Sequence, residues 1–167
     1  MEPAAETGAR ARPFASGREH LEVALGLLQV RLRRAVLERR RRPEPYRFHD
    51  LSGLVITEEE IDRLRPPWPS SVAETPGAQT PGDENPETAA EEERLDRLER
   101  RLALRLEEGV AGALAAGVRL PMAELATLFD LAPFDLDALL VCLAPELDLR
   151  FETLYAYLHD DVTRKRP

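Results

Sequence analysis

The chain has 167 residues and a formal charge of -8, with 32% charged and only 5% aromatic side chains. That length suits one domain with tails, and so few aromatics leave a core of Leu, Ala and Val, which fits packed helices better than a sheet sandwich. The acidity is uneven: residues 1–65 carry +2, residues 66–86 carry -3 and residues 87–167 carry -7, which argues against nucleic acid or an anionic membrane as partner. One cysteine, Cys142, excludes an internal disulfide and a cysteine zinc cluster, so a reducing cytoplasm is the expected location. No apolar run is long enough to span a bilayer. Residues 1–15 lack the apolar core of a signal peptide and read as a disordered lead-in.

Ser16-Gly17-Arg18-Glu19 has the form of a capping box and opens a long helix predicted over about 17–41. Leu21, Ala24, Leu25, Leu28, Leu32, Ala35 and Val36 form its apolar stripe, and Arg39, Arg40, Arg41 and Arg42 sit at its negative pole before Pro43 and Pro45 stop it. Residues 46–56 are irregular, with a short strand or extended arm at 54–56. Thr57 to Glu60 form a second capping box for a short helix through Ile61 and Leu64, ended by Pro66 and Pro67. Residues 66–88 hold six of the fourteen prolines and two glycines and bury almost nothing, so they are expected to be a flexible linker. From 89 to 116 the helical period returns through Leu95, Leu98, Leu102, Leu106, Val110 and Ala113, with Gly117 as C-cap. Residues 120–167, the most regular and apolar stretch, contain three short helical segments marked off by Pro121, Pro133 and Pro145, each offering one stripe for burial. Their stripes are Met122, Leu125, Ala126, Leu128 and Phe129; Leu136, Leu139, Leu140 and Leu143; and Phe151, Leu154, Tyr155 and Leu158 behind Asp148 as N-cap. The predicted organisation is a helical segment over 16–65 packed on a helical core over 89–167, joined by the 66–88 linker.

Three motifs in this last stretch carry a family likeness: Leu-Ala-Pro-Phe at 131–134, Leu-Leu-x-Cys-Leu-Ala-Pro-Glu-Leu-Asp at 139–148, and Leu-Tyr-Ala-Tyr-Leu-x-Asp-Asp-Val-Thr at 154–163. Together they resemble the N-terminal domain, a winged-helix variant, of a bacterial group of AAA+ ATPases that includes those of extracellular contractile injection systems. Upstream the likeness is looser, over residues 54–64. The resemblance implies a winged-helix-like core over 89–167 and an ATPase domain following on the C-terminal side. It also implies a homo-oligomeric, hexameric parent protein that binds ATP and Mg, with no cofactor in the present chain. The family has Ser or Thr before this Pro-Phe, whereas Ala132 stands here.

The chemistry in the residues agrees with a non-catalytic role. A Walker A loop needs glycines whose N-H groups cradle phosphate and a lysine to reach it. Lys165 is the only lysine, and no glycine follows Gly117. The pair at 121–130 and 133–144 outlines a helix-turn-helix, but its second helix presents Asp135 and Asp137 where DNA readout wants Arg, Lys, Asn or Gln, which favours packing over base recognition. Cys142, among leucines and without a basic neighbour, reads as a small buried hydrophobe. His159 gathers with Tyr155, Tyr157, Asp160 and Asp161, yet His20 and His49 are far off in sequence, so no metal or catalytic residue is assigned. The residues singled out for partner or interdomain contact are Trp68, Tyr157, Asp160, Asp161, Arg164 and Lys165, with 160–166 as a hinge to the next domain. The expected function is an N-terminal module that recruits protein partners or positions an ATPase ring, with no nucleic-acid or membrane partner. The rival readings are a free-standing helical adaptor or oligomerisation protein and a helix-turn-helix DNA-binding regulator.

Overall fold

The computed structural model describes residues 12–41, 56, 60–61, 86–161 and 163–167. Among the described residues the helices are, in order, α1 (Gly17–Arg41), α2 (Pro86–Ala115), α3 (Pro121–Phe129), α4 (Pro133–Leu147) and α5 (Arg150–His159), with Glu60 and Ile61 also helical and no strand. The protein is mainly α, as its composition requires. Leu54, the second capping box up to Glu59, Leu64, Trp68 and the linker as far as residue 85 lie outside the described residues. Ile56 has no regular structure and packs against the core, while Ile61 is buried within it.

The capping box at the head of α1 forms. The Glu19 N-H donates to Ser16 Oγ (3.2 Å), and the Glu19 carboxylate accepts from the N-H of Ala15 (2.7 Å), one residue upstream of the usual partner. This helix is the hub of the fold. Leu25, Leu28 and Val36 join Ile61, Leu140, Ala144, Phe151, Leu154 and Tyr155 on one side. Val23, Leu27 and Val30 meet Phe14, Leu95, Leu102, Ala113 and Leu120 on the other. The single stripe expected for α1 is therefore one of two, because Val23, Leu27 and Val30 form a second i, i+4, i+7 row. Complete burial of each such side chain stabilises by roughly 1.5 to 3 kcal/mol.

Within the stretch expected to be a disordered lead-in, Phe14 is packed into the core. Phe14 is only 1% exposed, its N-H donates to the Gly109 carbonyl (3.4 Å), and the Arg105 guanidinium lies 4.0 Å from its ring centroid. A side chain at Gly109 would put its Cβ 2.6 Å from the ring, so this approach depends on glycine. α2 ends as predicted: Gly117 takes a left-handed φ of 73° and the Val118 N-H returns to the Ala113 carbonyl (2.9 Å).

Pro121 and Pro133 each open a helix at a position where the missing N-H has no intrahelical partner. Pro145 behaves differently. The sequence predicts that the second segment ends there, but α4 continues through it to Leu147, with Pro145 buried. The Val141 carbonyl, which residue 145 would normally satisfy, accepts instead from the Tyr155 hydroxyl (2.8 Å). Asp148 stands one residue ahead of the α5 N-cap and still serves its start, accepting from the Arg150 N-H (3.0 Å).

The α5 stripe of Phe151, Leu154 and Tyr155 is buried as expected. Those of α3 and α4 are not. No residue of α3 is buried, and α4 buries only Leu140, Ala144 and Pro145. Leu125, Leu128, Phe129 and Leu139 face outward. Cys142 is exposed rather than buried, because it lies on the α4 face opposite Leu140 and Ala144.

Candidate functional site

The residues singled out near the C-terminus fall into two internal groups. Tyr157 and Asp160 meet Arg39 of α1, whose guanidinium lies 4.9 Å from the Tyr157 ring centroid, donates to the Tyr157 carbonyl and pairs with Asp160 at 2.7 Å. Arg39 is the member that sequence reasoning left out, having been read with its neighbours only as part of a basic helix end. Asp160 also closes α5 in a left-handed conformation, its N-H reaching the Ala156 and Tyr157 carbonyls. Asp161 and Arg164 form the second group, 3.6 Å apart. The hydroxyl and N-H of Thr163 both donate to Asp161 Oδ1 (2.5 and 2.9 Å) and hold its carboxyl below the ordinary value. Arg166 turns back to Glu146 and Glu152, and Lys165 is exposed. The first group ties the end of α5 to the basic end of α1; Trp68 lies outside the described residues.

The larger outward feature is the α3-turn-α4 pair. Leu128 and Phe129 end α3 with 75% and 62% exposure, and Phe134 opens α4 at 78%, separated by a turn of only three residues. Aromatic and aliphatic side chains this exposed at one tip are what an interface uses as anchors. Sequence periodicity marks Leu128 and Phe129 but assigns them to a buried stripe.

The electrostatics of this pair are one-signed. Residues 120–149 contain Glu124, Asp130, Asp135, Asp137, Glu146 and Asp148 and no Lys, Arg or His. Four carboxylates are met by cations from elsewhere: Glu124 by Arg119 (2.7 Å), Asp137 by Arg31 (2.9 Å), Asp148 by Arg150 and Glu146 by Arg166. Arg119 holds the Glu124 carboxyl below its usual value through their hydrogen bonds. Asp135 accepts only from the Ala132 N-H (2.8 Å), and no cation among the described residues pairs with Asp130 or Asp135. DNA phosphates would be repelled by this surface.

Behind the pair, a cavity of about 440 Å³ opens between α1, α2, α3 and α4, walled by Leu27, Leu28, Val110, Met122 and Leu136, with His20 in its lining. α3 meets the two clusters through the partly buried Met122 and Ala123, and none of its residues is fully buried. His20 is 8% exposed, its Nδ1 has no hydrogen-bond partner, and burial lowers its pKa, so the ring is neutral at pH 7. No three His, Cys, Asp or Glu side chains converge among the described residues.

A family model described as "Winged helix domain, variant" matches residues 2–167. No curated protein and no solved structure matches the chain.

Proposed function

The chain belongs to the variant winged-helix domain family, and from that premise we propose that it is a non-catalytic protein-binding module, the N-terminal domain of an AAA+ ATPase that recruits a protein partner to the motor. One observation carries the choice of protein over DNA: α4, the helix a helix-turn-helix would lay in the major groove, exposes Phe134, Leu139 and carboxylates and offers no cation. Phosphate contacts supply most non-specific DNA affinity, and this surface lacks the side chains to make them. The motor assignment rests on the resemblance of residues 131–163, and a contractile injection system is the context that the resemblance implies. In this reading the Arg39 contacts with Tyr157 and Asp160 fix the direction in which the chain leaves α5. They thereby orient the domain on its ATPase ring.

Translating the reading frame past Pro167 and assaying the whole protein tests the proposal. The expected result is a downstream Walker A loop and ATP hydrolysis that persists when residues 1–167 are deleted while partner recruitment is lost. A stop codon directly after Pro167 overturns the motor assignment. Sequence-specific duplex DNA binding by α4 at physiological salt overturns protein recruitment.

A further inference from the structure

We propose that the tip of α3 and the outer face of α4 dock an amphipathic helix of a partner protein whose apolar stripe is flanked by Lys or Arg; this rests on the protein-binding reading above and specifies its partner. Positions 134, 138 and 142 recur at i, i+4 and i+8 along α4, and Phe134, Ala138 and Cys142 are all exposed, with Leu139 beside them. Leu128 and Phe129 are exposed at the end of α3, across the three-residue turn from Phe134. A helix face of this kind is complemented by the apolar stripe of another helix.

Charge selects among the occupants. Asp130 and Asp135, the two carboxylates of the pair that no described cation meets, lie in the turn and in the first turn of α4, next to Phe129 and Phe134 in sequence. A second copy docking the same face about a two-fold axis would bring no cation to these carboxylates, because residues 120–149 contain no Lys, Arg or His. An anionic lipid surface would be repelled as phosphate is. A partner with Lys or Arg beside its apolar stripe places cations where the charge is uncompensated, at the rim of the apolar contact.

The test uses three synthetic helices: a Leu/Lys amphipathic helix, a Leu/Glu helix of the same pattern, and the Leu/Lys composition in scrambled order. Binding to the full chain is followed by calorimetry and amide chemical shifts. The Leu/Lys helix is expected to bind, to perturb residues 128–142, and to weaken as salt rises. Its affinity is expected to fall by about tenfold or more in Leu128→Ser/Phe134→Ser. It should also fall in Asp130→Asn/Asp135→Asn, which keeps an acceptor for the Ala132 N-H. Matching far-UV dichroism and unfolding midpoints show that the variants are folded; should the serine pair unfold, the asparagine pair carries the test alone. Equal binding of the Leu/Glu helix removes the basic partner while leaving protein docking in place. Equal binding of the scrambled peptide, or shifts confined to other helices, removes the face itself. A concentration-dependent doubling of mass that Phe134→Ser abolishes assigns the face to a second copy and overturns the proposal. Direct binding of duplex DNA to the chain at physiological salt, with amide shifts in α4 and no peptide present, overturns the protein-binding reading as well.

Discussion

The Val141 carbonyl loses its helical donor because residue 145 is proline, and the Tyr155 hydroxyl 2.8 Å away donates in its place. A carbonyl left without a donor in a partly buried setting costs about 1 to 3 kcal/mol, so Tyr155→Phe is expected to destabilise by that amount in chemical denaturation. In a Pro145→Ala background the restored N-H can serve Val141, and the loss from Tyr155→Phe is expected to shrink. An unchanged loss in both backgrounds refutes this exchange of donors. Burial, with a smaller charge interaction from Cys142, pushes the Tyr155 phenol up to about 12. An unfolded chain releases this proton near pH 10 and the folded chain holds it longer, so stability is expected to decline between about pH 10 and about 12. Tyr155→Phe should flatten that decline in a pH series of unfolding midpoints. Local sequence around Pro145 reads as a stop because the rescuing donor lies ten residues away on another helix. Phe14 was missed for a similar reason: a single aromatic between Pro13 and Ala15 has no period, and its partners lie at Arg105 and Gly109.

At the scale of the helix, α4 begins with half a capping box. Ala132 has no side-chain oxygen, so the Asp135 N-H reaches only the Ala132 carbonyl (3.0 Å), while the Asp135 carboxylate takes the Ala132 N-H. Ala132→Ser supplies the missing acceptor and is expected to raise stability by about 1 kcal/mol; Asp135→Ala removes the remaining half and should lower it by about 0.5 to 1 kcal/mol, both read as shifts in the thermal midpoint. A midpoint that Ala132→Ser leaves in place means that the turn, rather than the cap, sets this boundary. Helix starts and stops of this kind were legible wherever the signal is local: Ser16 with Glu19, Pro121, Pro133 and Gly117 all stand where the sequence puts them. The direction of burial was not. Periodicity shows that Leu125, Leu128 and Phe129 share a face of α3, but the same pattern serves a core and an interface alike. Cys142 was misplaced because it was judged by its sequence neighbours, whereas helical spacing groups it with Ala138 and away from Leu140 and Ala144.

Across the whole molecule, α1 joins two clusters whose buried members share no other helix: α2 with Phe14 and Leu120 on one side, α4 and α5 on the other. The sequence points to residues 120–167 as the organising stretch because their stripes are the most regular. The hub lies at 23–30, where two interleaved rows of apolar residues blur each other's period. Ion pairs reinforce the arrangement on the exposed side: Arg31 reaches Glu99 on α2 (3.1 Å) and Asp137 on α4 (2.9 Å), and Arg34 pairs with Glu99 (2.6 Å). Partial burial opposes ionisation of Glu99, yet the hydrogen bonds from Arg34 and Arg31 hold its carboxyl below the usual value. Because both clusters need α1 in place, damage to one should be felt in the other. Leu102→Ala, in the α2 cluster, is expected to cost about 2 to 5 kcal/mol through the cavity it leaves. If the fold unfolds as one unit, the most protected amides of α5, which make no part of that cluster, should exchange faster by the factor corresponding to the same loss. Native-state hydrogen exchange measures both helices at once. Amides of α5 that keep their protection while those of α2 lose theirs would divide the protein into two independently opening halves, with α1 belonging to whichever half it follows.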